Sequence, residues 1–343
     1  MNGLSPLLEV RNLSTRFVLP GGILRAVEDV SFSLGRREAV GIVGESGSGK
    51  SVTALTILRL FGPLDRVELA GEVLFEGTNL LELAESDLRR IRGAEIGMVF
   101  QDPLASLNPM MPVGEQIAET LRFQRALGGT QAKRKAQELM ERVGIGDPAR
   151  RYDDLPDRFS GGMRQRIMIA IAIACEPKLL IADEPTTALD VTVQAQVLAL
   201  LNHLRDESGM ALIMISHDFG VVAATCDSAQ VMYGGRLVER GTVADILERP
   251  NHPYTTALLQ LVPRLETLAR ERLRPIPGQP APVFDFHQGC RFAERCEFVL
   301  ERCRREYPPA VEVGANHSSA CWLAQERLAK SSAQNSMESQ DKA

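Results

Sequence analysis

Residues 44–51 of the chain, GESGSGKS, place glycines at fixed positions before a lysine and a serine. This spacing forms phosphate-binding loops when a strand precedes it and a helix follows, and both are predicted here, at residues 39–43 and from Gly49. Lys50 would neutralise the β- and γ-phosphates of a nucleotide, and the Ser51 hydroxyl would bind Mg²⁺. The flanking strand and helix disfavour the alternative of a chance glycine turn. The predicted nucleotide-contacting residues are Gly44, Ser46, Gly47, Ser48, Gly49, Lys50, Ser51 and Val52.

A second predicted strand ends in two consecutive carboxylates. Residues 179–182 are apolar and run directly into Asp183 and Glu184. In enzymes with a phosphate loop, an aspartate at the end of such a strand is the second Mg²⁺ anchor, so we predict that role for Asp183. Glu184 lies one residue beyond the strand and is our predicted general base. Without the phosphate loop, the pair would indicate no more than a solvated turn.

Two further polar side chains follow predicted strands. His217 comes after residues 211–215, and Gln101 comes after residues 96–100. Parallel strands deliver the residues at their C-terminal ends to one crevice, so both should lie beside the phosphate loop. We predict that His217 contacts the γ-phosphate or the attacking water, and that Gln101 ligates Mg²⁺ or orients that water. A lone histidine is more often structural, so this prediction depends on the position of His217.

Residues 159–166, FSGGMRQR, form a second predicted anion-binding corner. The Ser160 hydroxyl and the small residues Gly161 and Gly162 stand at the start of an apolar helix, whose N-terminus attracts anions. The chain already has its own phosphate loop, about 110 residues upstream. We therefore predict that this corner binds the nucleotide of another subunit, as in an ATP-driven dimer.

The elements that position these residues indicate an α/β fold. Predicted strands alternate with helices, which implies a parallel sheet. The first forty residues alternate apolar and polar positions around Gly21 and Gly22, which predicts antiparallel strands joined by a turn. Residues 113–145 are predicted to be helical, with Thr130 as the N-cap of a helix over residues 131–143.

Composition limits the class of protein. The net charge of −5 argues against a nucleic-acid partner, which favours a basic surface. No apolar run approaches the ~18 residues of a membrane span, and the N-terminus lacks the layout of a secretory signal. We expect a cytoplasmic chain with no nucleic-acid partner, able to sit peripherally on a membrane partner.

Three regions are predicted along the 343 residues. Residues 1–250 form a nucleotide-binding domain, with a helical subdomain at about 101–176. Residues 251–330 form a C-terminal extension, which contains a proline-rich linker over residues 275–282. Residues 331–343 are polar and predicted to be disordered.

Four of the six cysteines lie in the extension with the spacing C-x5-C-x6-C-x17-C. A bound metal centre would supply the crosslink that a small, weakly hydrophobic module lacks. The spacing alone leaves zinc and an iron–sulfur cluster open. His287 and His317 flank the module, and we interpret them as surface histidines rather than ligands. The predicted ligands are Cys290, Cys296, Cys303 and Cys321.

Together these residues resemble the ATP-binding subunit of an ABC transporter over nearly the whole chain. Residues 44–51 resemble the Walker A loop, residues 179–184 the Walker B strand, and residues 160–165 the signature, which includes Gln165. The resemblance further implies that residues 188–190 are the D-loop, with Asp190 near the partner's ATP, that Gln101 is the Q-loop glutamine and that His217 is the switch histidine. It also implies that Phe17 stacks on adenine, with a core position as the alternative.

The implied fold is a P-loop NTPase. It combines a RecA-like parallel core with an N-terminal antiparallel β subdomain and a helical signature subdomain, to which this chain adds a small C-terminal cysteine-containing module. In that family two such subunits enclose two ATP molecules, each bound by the Walker side of one chain and the signature of the other.

Longer strings resemble the ATPases of dipeptide and oligopeptide importers: residues 44–53, residues 100–109, ADEPTTALDVTVQ at 182–194 and HPY at 252–254. That resemblance implies ATP-driven uptake of di- or oligopeptides, with nickel or glutathione-like substrates as an alternative and a soluble non-transport ABC ATPase as a less favoured class. The implied partners are a second, related but non-identical ATPase subunit, two transmembrane permease subunits and, indirectly, a substrate-binding protein. The implied location is the cytoplasmic face of the plasma (inner) membrane. The resemblance favours a [4Fe–4S] cluster over zinc or reduced thiols in the four-cysteine site.

Overall fold

A computed structural model of the chain describes residues 5–187, 189–261, 276–279 and 288–330. The strands in these ranges are β1 (Leu8–Leu19), β2 (Gly22–Leu34), β3 (Ala39–Val43), β4 (Val67–Phe75), β5 (Thr78–Asn79), β6 (Ile96–Val99), β7 (Leu179–Asp183), β8 (Ala211–Ser216), β9 (Ser228–Tyr233), β10 (Arg236–Thr242), β11 (Val311–Gly314) and β12 (His317–Ser319). The α-helices are α1 (Lys50–Ile57), α2 (Glu85–Ile91), α3 (Pro103–Ser106), α4 (Val113–Arg125), α5 (Gly129–Arg142), α6 (Pro148–Arg151), α7 (Gly161–Ile173), α8 (Val191–Ser208), α9 (Phe219–Thr225), α10 (Val243–Glu248), α11 (Pro253–Leu259) and α12 (Glu301–Arg305).

The N-terminal strands form an antiparallel sheet in the order β2-β1-β4-β5. β1 and β2 pair from Leu8 opposite Leu34 to Leu19 opposite Gly22, so the chain reverses at the predicted glycine turn. Gly22 has a φ of 131°, which a residue with a side chain rarely adopts. The antiparallel hairpin expected from the sequence is confirmed.

The central sheet has the order β11-β12-β10-β9-β3-β8-β7-β6, and its strands from β9 to β6 are parallel. β3, β7 and β8 are buried along their whole length because apolar clusters cover both faces of the sheet. Alternate residues enter opposite clusters: Leu180 joins the cluster that includes α4, α5 and α7, whereas Ile181 joins the cluster that includes β1 and β2. The predicted α/β fold with a parallel core is confirmed.

The predicted helical region, residues 101–176, contains the helices α3 to α7. The prediction that Thr130 caps α5 is wrong, because Gly128 is the N-cap and Thr130 lies inside the first turn. The Ala132 N–H already donates to the Gly128 carbonyl at 2.9 Å. Ala132 and Ala136 are fully buried against the core, and this packing places the N-cap two residues before the hydroxyl that the sequence suggested.

The C-terminal strands extend the central sheet. Glu239 of β10 pairs with Ser319 of β12, and β12 pairs in turn with β11. The predicted boundary between residues 250 and 251 stays a prediction, although hydrogen bonding of the sheet continues beyond it. Residues 275 and 280–282 of the predicted linker and the predicted tail, residues 331–343, lie outside the described residues. We call residues 288–330 the C-terminal module.

Candidate nucleotide-binding and hydrolysis site

Residues 44–51, which we call the nucleotide loop, connect β3 to α1. Glycine is needed at two positions, where the loop backbone closely approaches the backbone of neighbouring segments. A Cβ on Gly44 would lie 2.1 Å from the Met232 carbonyl oxygen. Gly49 has a φ of 102°, and a Cβ there would lie 2.5 Å from the Ala26 carbonyl oxygen. The loop therefore packs with its backbone against neighbouring segments, and its N–H groups form the start of α1.

Lys50 is 4% exposed and lies inside this loop. Its Nζ donates to the carbonyl oxygens of Gly44 at 2.8 Å and Glu45 at 2.9 Å. Burial lowers the pKa of the ammonium group, while the carboxylate of Glu184, 3.9 Å away, opposes that change. The Ser48 hydroxyl is buried and has no hydrogen-bond partner among the described residues. A phosphate oxygen would satisfy it, so the loop fits the nucleotide that the sequence predicts.

The two predicted Mg²⁺ ligands on neighbouring elements are in contact. The Ser51 hydroxyl donates to Asp183 Oδ1 at 2.9 Å. Burial raises the pKa of Asp183, and the hydrogen bond from Ser51 opposes this change. A hydroxyl and a carboxylate at one buried point are the hard oxygen donors that Mg²⁺ prefers, so these residues fit the ion.

Three polar side chains contact the same carboxylate oxygen of Glu184. Its Oε2 accepts hydrogen bonds from Thr187 Oγ1 at 2.9 Å and Gln101 Nε2 at 3.1 Å, and lies 3.3 Å from His217 Nδ1. The Glu184 N–H donates to the Ile215 carbonyl at 2.9 Å, and the residue has a φ of 45°. This left-handed conformation turns the chain sharply at the end of β7 and is costly for a non-glycine residue.

The structure therefore brings the predicted Gln101, Glu184 and His217 together from the ends of three strands. His217 remains 58% exposed, and Gln101 is also exposed, so both can reach a bound ligand. Thr187 was missed by the sequence reasoning. Its only signal was a hydroxyl three residues after Glu184, within the turn that follows β7.

Phe17 lies in β1 and is partly exposed, unlike the core residues around it. Its ring packs edge-on against Phe61, with the ring centroids 5.8 Å apart. The structure therefore does not place Phe17 in the core, which was the alternative in the sequence analysis. Part of its ring is exposed and can contact a ligand.

The predicted signature residues Ser160, Gly161 and Gly162, which we call the signature corner, start α7. Ser160 is an exposed N-cap whose side chain accepts a hydrogen bond from the Met163 N–H at 3.4 Å. A Cβ on Gly162 would lie 2.5 Å from Val193 of α8. Asp190 caps α8 by accepting from the Val193 N–H at 3.0 Å.

Two helix N-termini therefore lie side by side at this corner. That of α8 is already capped by the Asp190 carboxylate, whereas that of α7 carries only the neutral Ser160 hydroxyl and favours an anion. No hydrogen bond within the described ranges joins the signature corner to the nucleotide loop. Gln165 differs from its neighbours because it is only 2% exposed, so its side chain lies within this chain rather than at the exposed corner. Ala188 of the predicted D-loop lies outside the described residues.

Residues of the C-terminal extension reach the nucleotide loop, which the sequence reasoning did not foresee. Arg295 forms a bidentate ion pair with Glu45, and the Tyr254 hydroxyl accepts a hydrogen bond from the Glu45 N–H. The HPY string contained Tyr254 but gave no sign of this contact. Arg295 directly precedes the predicted ligand Cys296, but nothing in the sequence indicated its contact with Glu45, 250 positions away.

The four cysteines of the C-terminal module border one cavity, together with the rings of Phe292, Phe298 and Trp322. Burial raises the pKa of three of their thiols, that of Cys290 to about 12. Among the described residues, no group of three or more His, Cys, Asp or Glu side chains is arranged to hold a metal ion. That result supports neither the zinc alternative nor an iron–sulfur cluster. The [4Fe–4S] cluster receives no support here beyond the shared cavity and stays a prediction.

The interpretation of His317 as a surface residue is wrong. Its side chain is 4% exposed, and its Nε2 lies 2.8 Å from Oε1 of the fully buried Glu239 carboxylate. The pair joins β12 to β10. His287 lies outside the described residues.

Comparisons with known proteins agree with this fold and site. A family model described as "ABC transporter" matches residues 27–187, and one described as "Oligopeptide/dipeptide transporter, C-terminal region" matches residues 238–303. The chain is 49% identical to the probable peptide ABC transporter ATP-binding protein y4tR of Sinorhizobium fredii, over 93% of this chain and 96% of the relative. It is 45% identical to the oligopeptide transport ATP-binding protein OppD of Haemophilus influenzae, over 95% and 99% respectively.

Solved structures match the same architecture. The ATP-binding cassette MJ0796, in a dimeric post-hydrolysis state bound to ADP and Pi, matches with a TM-score of 0.61 and 28% identity, over 69% of this chain and 98% of that one. The structure of cbiO1 from Clostridium perfringens, part of the transporter complex cbiONQ, matches with a TM-score of 0.60 and 25% identity, over 72% and 93%.

A Walker-type loop, a carboxylate-ended strand and these matches define an ABC-type ATPase. The chain belongs to the family of ABC transporter ATP-binding proteins that carry the oligopeptide/dipeptide transporter C-terminal region. The resemblance seen in the sequence is thereby confirmed. None of the helices in the described ranges is long and apolar enough to cross a membrane.

Proposed function

We propose that this chain hydrolyses ATP to power the uptake of di- or oligopeptides through a membrane importer. The contacts of the Glu184 carboxylate are the observation that best supports an ATPase site. One of its oxygens contacts Thr187, Gln101 and His217, while its Oε1 faces Lys50 at 3.9 Å. A carboxylate held between a phosphate-binding lysine and ligand-orienting side chains is placed to act on a water beside the γ-phosphate.

Each residue of the proposed site has a defined task. The nucleotide loop binds the phosphates through its N–H groups, and Lys50 neutralises their charge. Ser51 and Asp183 would hold Mg²⁺, with Gln101 as a further ligand, and the ion would offset charge on the phosphate oxygens when bound. Glu184 takes the proton from the attacking water, while His217 contacts the γ-phosphate or that water. Phe17 stacks on the adenine ring.

The signature corner acts on a second subunit. Ser160 and the N-terminus of α7 form an exposed anion-binding surface, separate in its hydrogen bonding from the nucleotide loop of the same chain. We assign Ser160, Gly161, Gly162 and Asp190 to the ATP of a partner, which accords with the dimeric MJ0796 cassette. The buried Gln165 supports the signature corner from within this chain. We further propose that the partner is a related, non-identical ATPase chain.

Peptide uptake, rather than another cargo, is supported by the C-terminal region match and by relatives, 45–53% identical, that are named as peptide transport proteins. The pore would come from two transmembrane permease subunits, fed by a substrate-binding protein, with this chain peripheral on the cytoplasmic face of the plasma (inner) membrane. Reconstituting the complex in vesicles tests this. Peptide-loaded binding protein should stimulate ATP hydrolysis and peptide uptake. Stimulation by nickel or glutathione instead of peptide would refute the assignment.

We also propose a [4Fe–4S] cluster on Cys290, Cys296, Cys303 and Cys321. The shared cavity supports it, because each iron of such a cluster takes one cysteine and the four sulfurs need not crowd around a single ion. Anaerobically purified protein should contain iron and sulfide and absorb in the visible range. Cys303→Ser should abolish both signals. Zinc in place of iron, or iron unchanged in the variant, would overturn the proposal.

A further inference from the structure

The nucleotide loop carries a carboxylate where it binds phosphates. Glu45 directly follows Gly44, and its backbone carbonyl accepts a hydrogen bond from Lys50 Nζ at 2.9 Å. Negative charge so close to a polyphosphate opposes nucleotide binding, because like charges repel most strongly where water is partly excluded. A loop with this residue needs a neighbouring cation to offset the carboxylate.

That cation comes from the C-terminal module. Arg295 donates to Glu45 Oε2 through Nη1 at 2.6 Å and to Oε1 through Nη2 at 3.0 Å. This is the bidentate geometry in which a guanidinium binds a carboxylate most strongly. The Arg295 side chain is only 5% exposed, so solvent screens the pair weakly.

The remaining donors of Arg295 fix the guanidinium in place. Its Nε donates to the Pro277 carbonyl at 2.9 Å, and Nη1 also approaches the Tyr233 hydroxyl at 3.3 Å. The backbone of Glu45 is held independently, since its N–H donates to the Tyr254 hydroxyl at 2.8 Å and Tyr254 is fully buried. Both the side chain and the backbone of Glu45 are thus bound by residues outside the nucleotide-binding domain predicted from the sequence.

We propose that Arg295 is a positioning residue for ATP: it neutralises and orients Glu45 and so makes the C-terminal module part of the nucleotide site. This inference rests on the assignment of residues 44–51 as the nucleotide loop. The C-terminal module then affects the affinity for ATP through the charge of Arg295 as well as through packing. Loss of the charge on Arg295 leaves the Glu45 carboxylate beside the phosphates without its ion-pair partner.

The test measures binding of a non-hydrolysable ATP analogue with Mg²⁺ to the full-length chain by calorimetry. Arg295→Gln should weaken binding about tenfold or more. Adding Glu45→Gln to that variant should restore most of the affinity, because the uncompensated carboxylate is gone. Arg295→Lys should fall between them, since it keeps the charge and loses the bidentate geometry. Arg304→Gln, which breaks an exposed ion pair with Glu294 in the same module, should bind as the unmodified chain does.

Rescue by the double substitution separates this role from a general loss of fold, because a merely structural arginine would leave the double variant as weak as the single one. That result, or unchanged affinity in a folded Arg295→Gln protein, would overturn the inference. Lys50→Ala distinguishes the two proposals. If Lys50→Ala abolishes binding while Arg295→Gln does not alter it, the nucleotide loop stands and only the role of Arg295 fails. If Lys50→Ala binds normally, the loop assignment itself fails.

Discussion

The Gln101 amide donates a hydrogen bond to the Glu184 carboxylate at 3.1 Å, across 83 positions of sequence. Gln101 follows β6 and Glu184 follows β7, and these strands are parallel neighbours in the central sheet. The bond joins the proposed general base to the segment that leads into α3 and the helical region. A movement of either residue is therefore transmitted directly to the other.

Glu184→Gln should remove ATP turnover while leaving ATP binding intact. The amide keeps the shape of the side chain but has no basic oxygen to accept a proton from water, so we expect turnover to fall by about 10²- to 10⁴-fold. Phosphate release and nucleotide binding should be measured on the same preparation. Glu176→Gln, on the exposed loop after α7, is the matched control. Unimpaired turnover in Glu184→Gln would show that another group is the base.

Gln101→Ala should lower turnover, by about tenfold, with little change in affinity for ATP without Mg²⁺. The variant loses both a ligand-orienting amide and the hydrogen bond to Glu184. Gln124→Ala offers a comparison, since the Gln124 amide donates to the Arg92 carbonyl at 2.7 Å, away from the proposed site. If the two variants hydrolyse ATP at equal rates, Gln101 has no special role.

Ser160→Ala should separate the two halves of the shared site. We expect the isolated subunit to bind nucleotide normally, whereas ATP turnover by the assembled complex falls. Losing this N-cap also costs about 1 kcal/mol of folding free energy. Thr242→Ala controls for that cost, because Thr242 caps α10 by accepting from the Asp245 N–H at 3.1 Å. Weakened nucleotide binding by isolated Ser160→Ala subunits would contradict an action on the partner.

The buried His252 predicts sensitivity to acid. Burial lowers its pKa to about 3, and its Nδ1 accepts a hydrogen bond from the Tyr254 N–H at 3.1 Å as the N-cap of α11. Below its ordinary pKa of about 6.5, the unfolded chain takes up a proton that the folded chain does not, so stability falls as pH drops toward 3. At about pH 5 the free energy of unfolding is lower by about 2 kcal/mol for this reason.

His252→Asn keeps an N-cap acceptor and removes the titration. Between about pH 7 and pH 5, the unmodified chain should therefore lose about 2 kcal/mol more of its free energy of unfolding than this variant does. Urea denaturation at both pH values measures the difference. Parallel losses in the two proteins would mean that His252 is protonated without cost in the fold.

Much of the site could be predicted from sequence because its signals are local. The strand before Gly44, the carboxylate after residues 179–182 and the histidine after residues 211–215 each follow from a short apolar run and the residue that ends it. The topology of a parallel sheet then brings those ends together without further information. A local signal, a serine and two glycines before an apolar run, likewise predicted the signature corner at the start of a helix.

Other features could not be predicted from the sequence because they depend on packing between distant segments. The start of α5 is set by burial of Ala132 rather than by the hydroxyl of Thr130. His317 is buried because β12 joins the central sheet beside β10, a pairing that no local pattern indicates. The contact between Arg295 and Glu45 likewise depends on the completed fold.

The distance along the chain between Glu45 and Arg295 has a consequence for biosynthesis. At about 5–20 residues per second, a ribosome needs about 12–50 s to synthesise the 250 residues that separate them. During that interval the nascent chain holds the strand, the lysine and the glycines of its nucleotide loop but not the arginine that offsets Glu45. With the proposed role of Arg295, full affinity for ATP is reached only after residue 295 has been synthesised, so shorter nascent chains bind ATP more weakly.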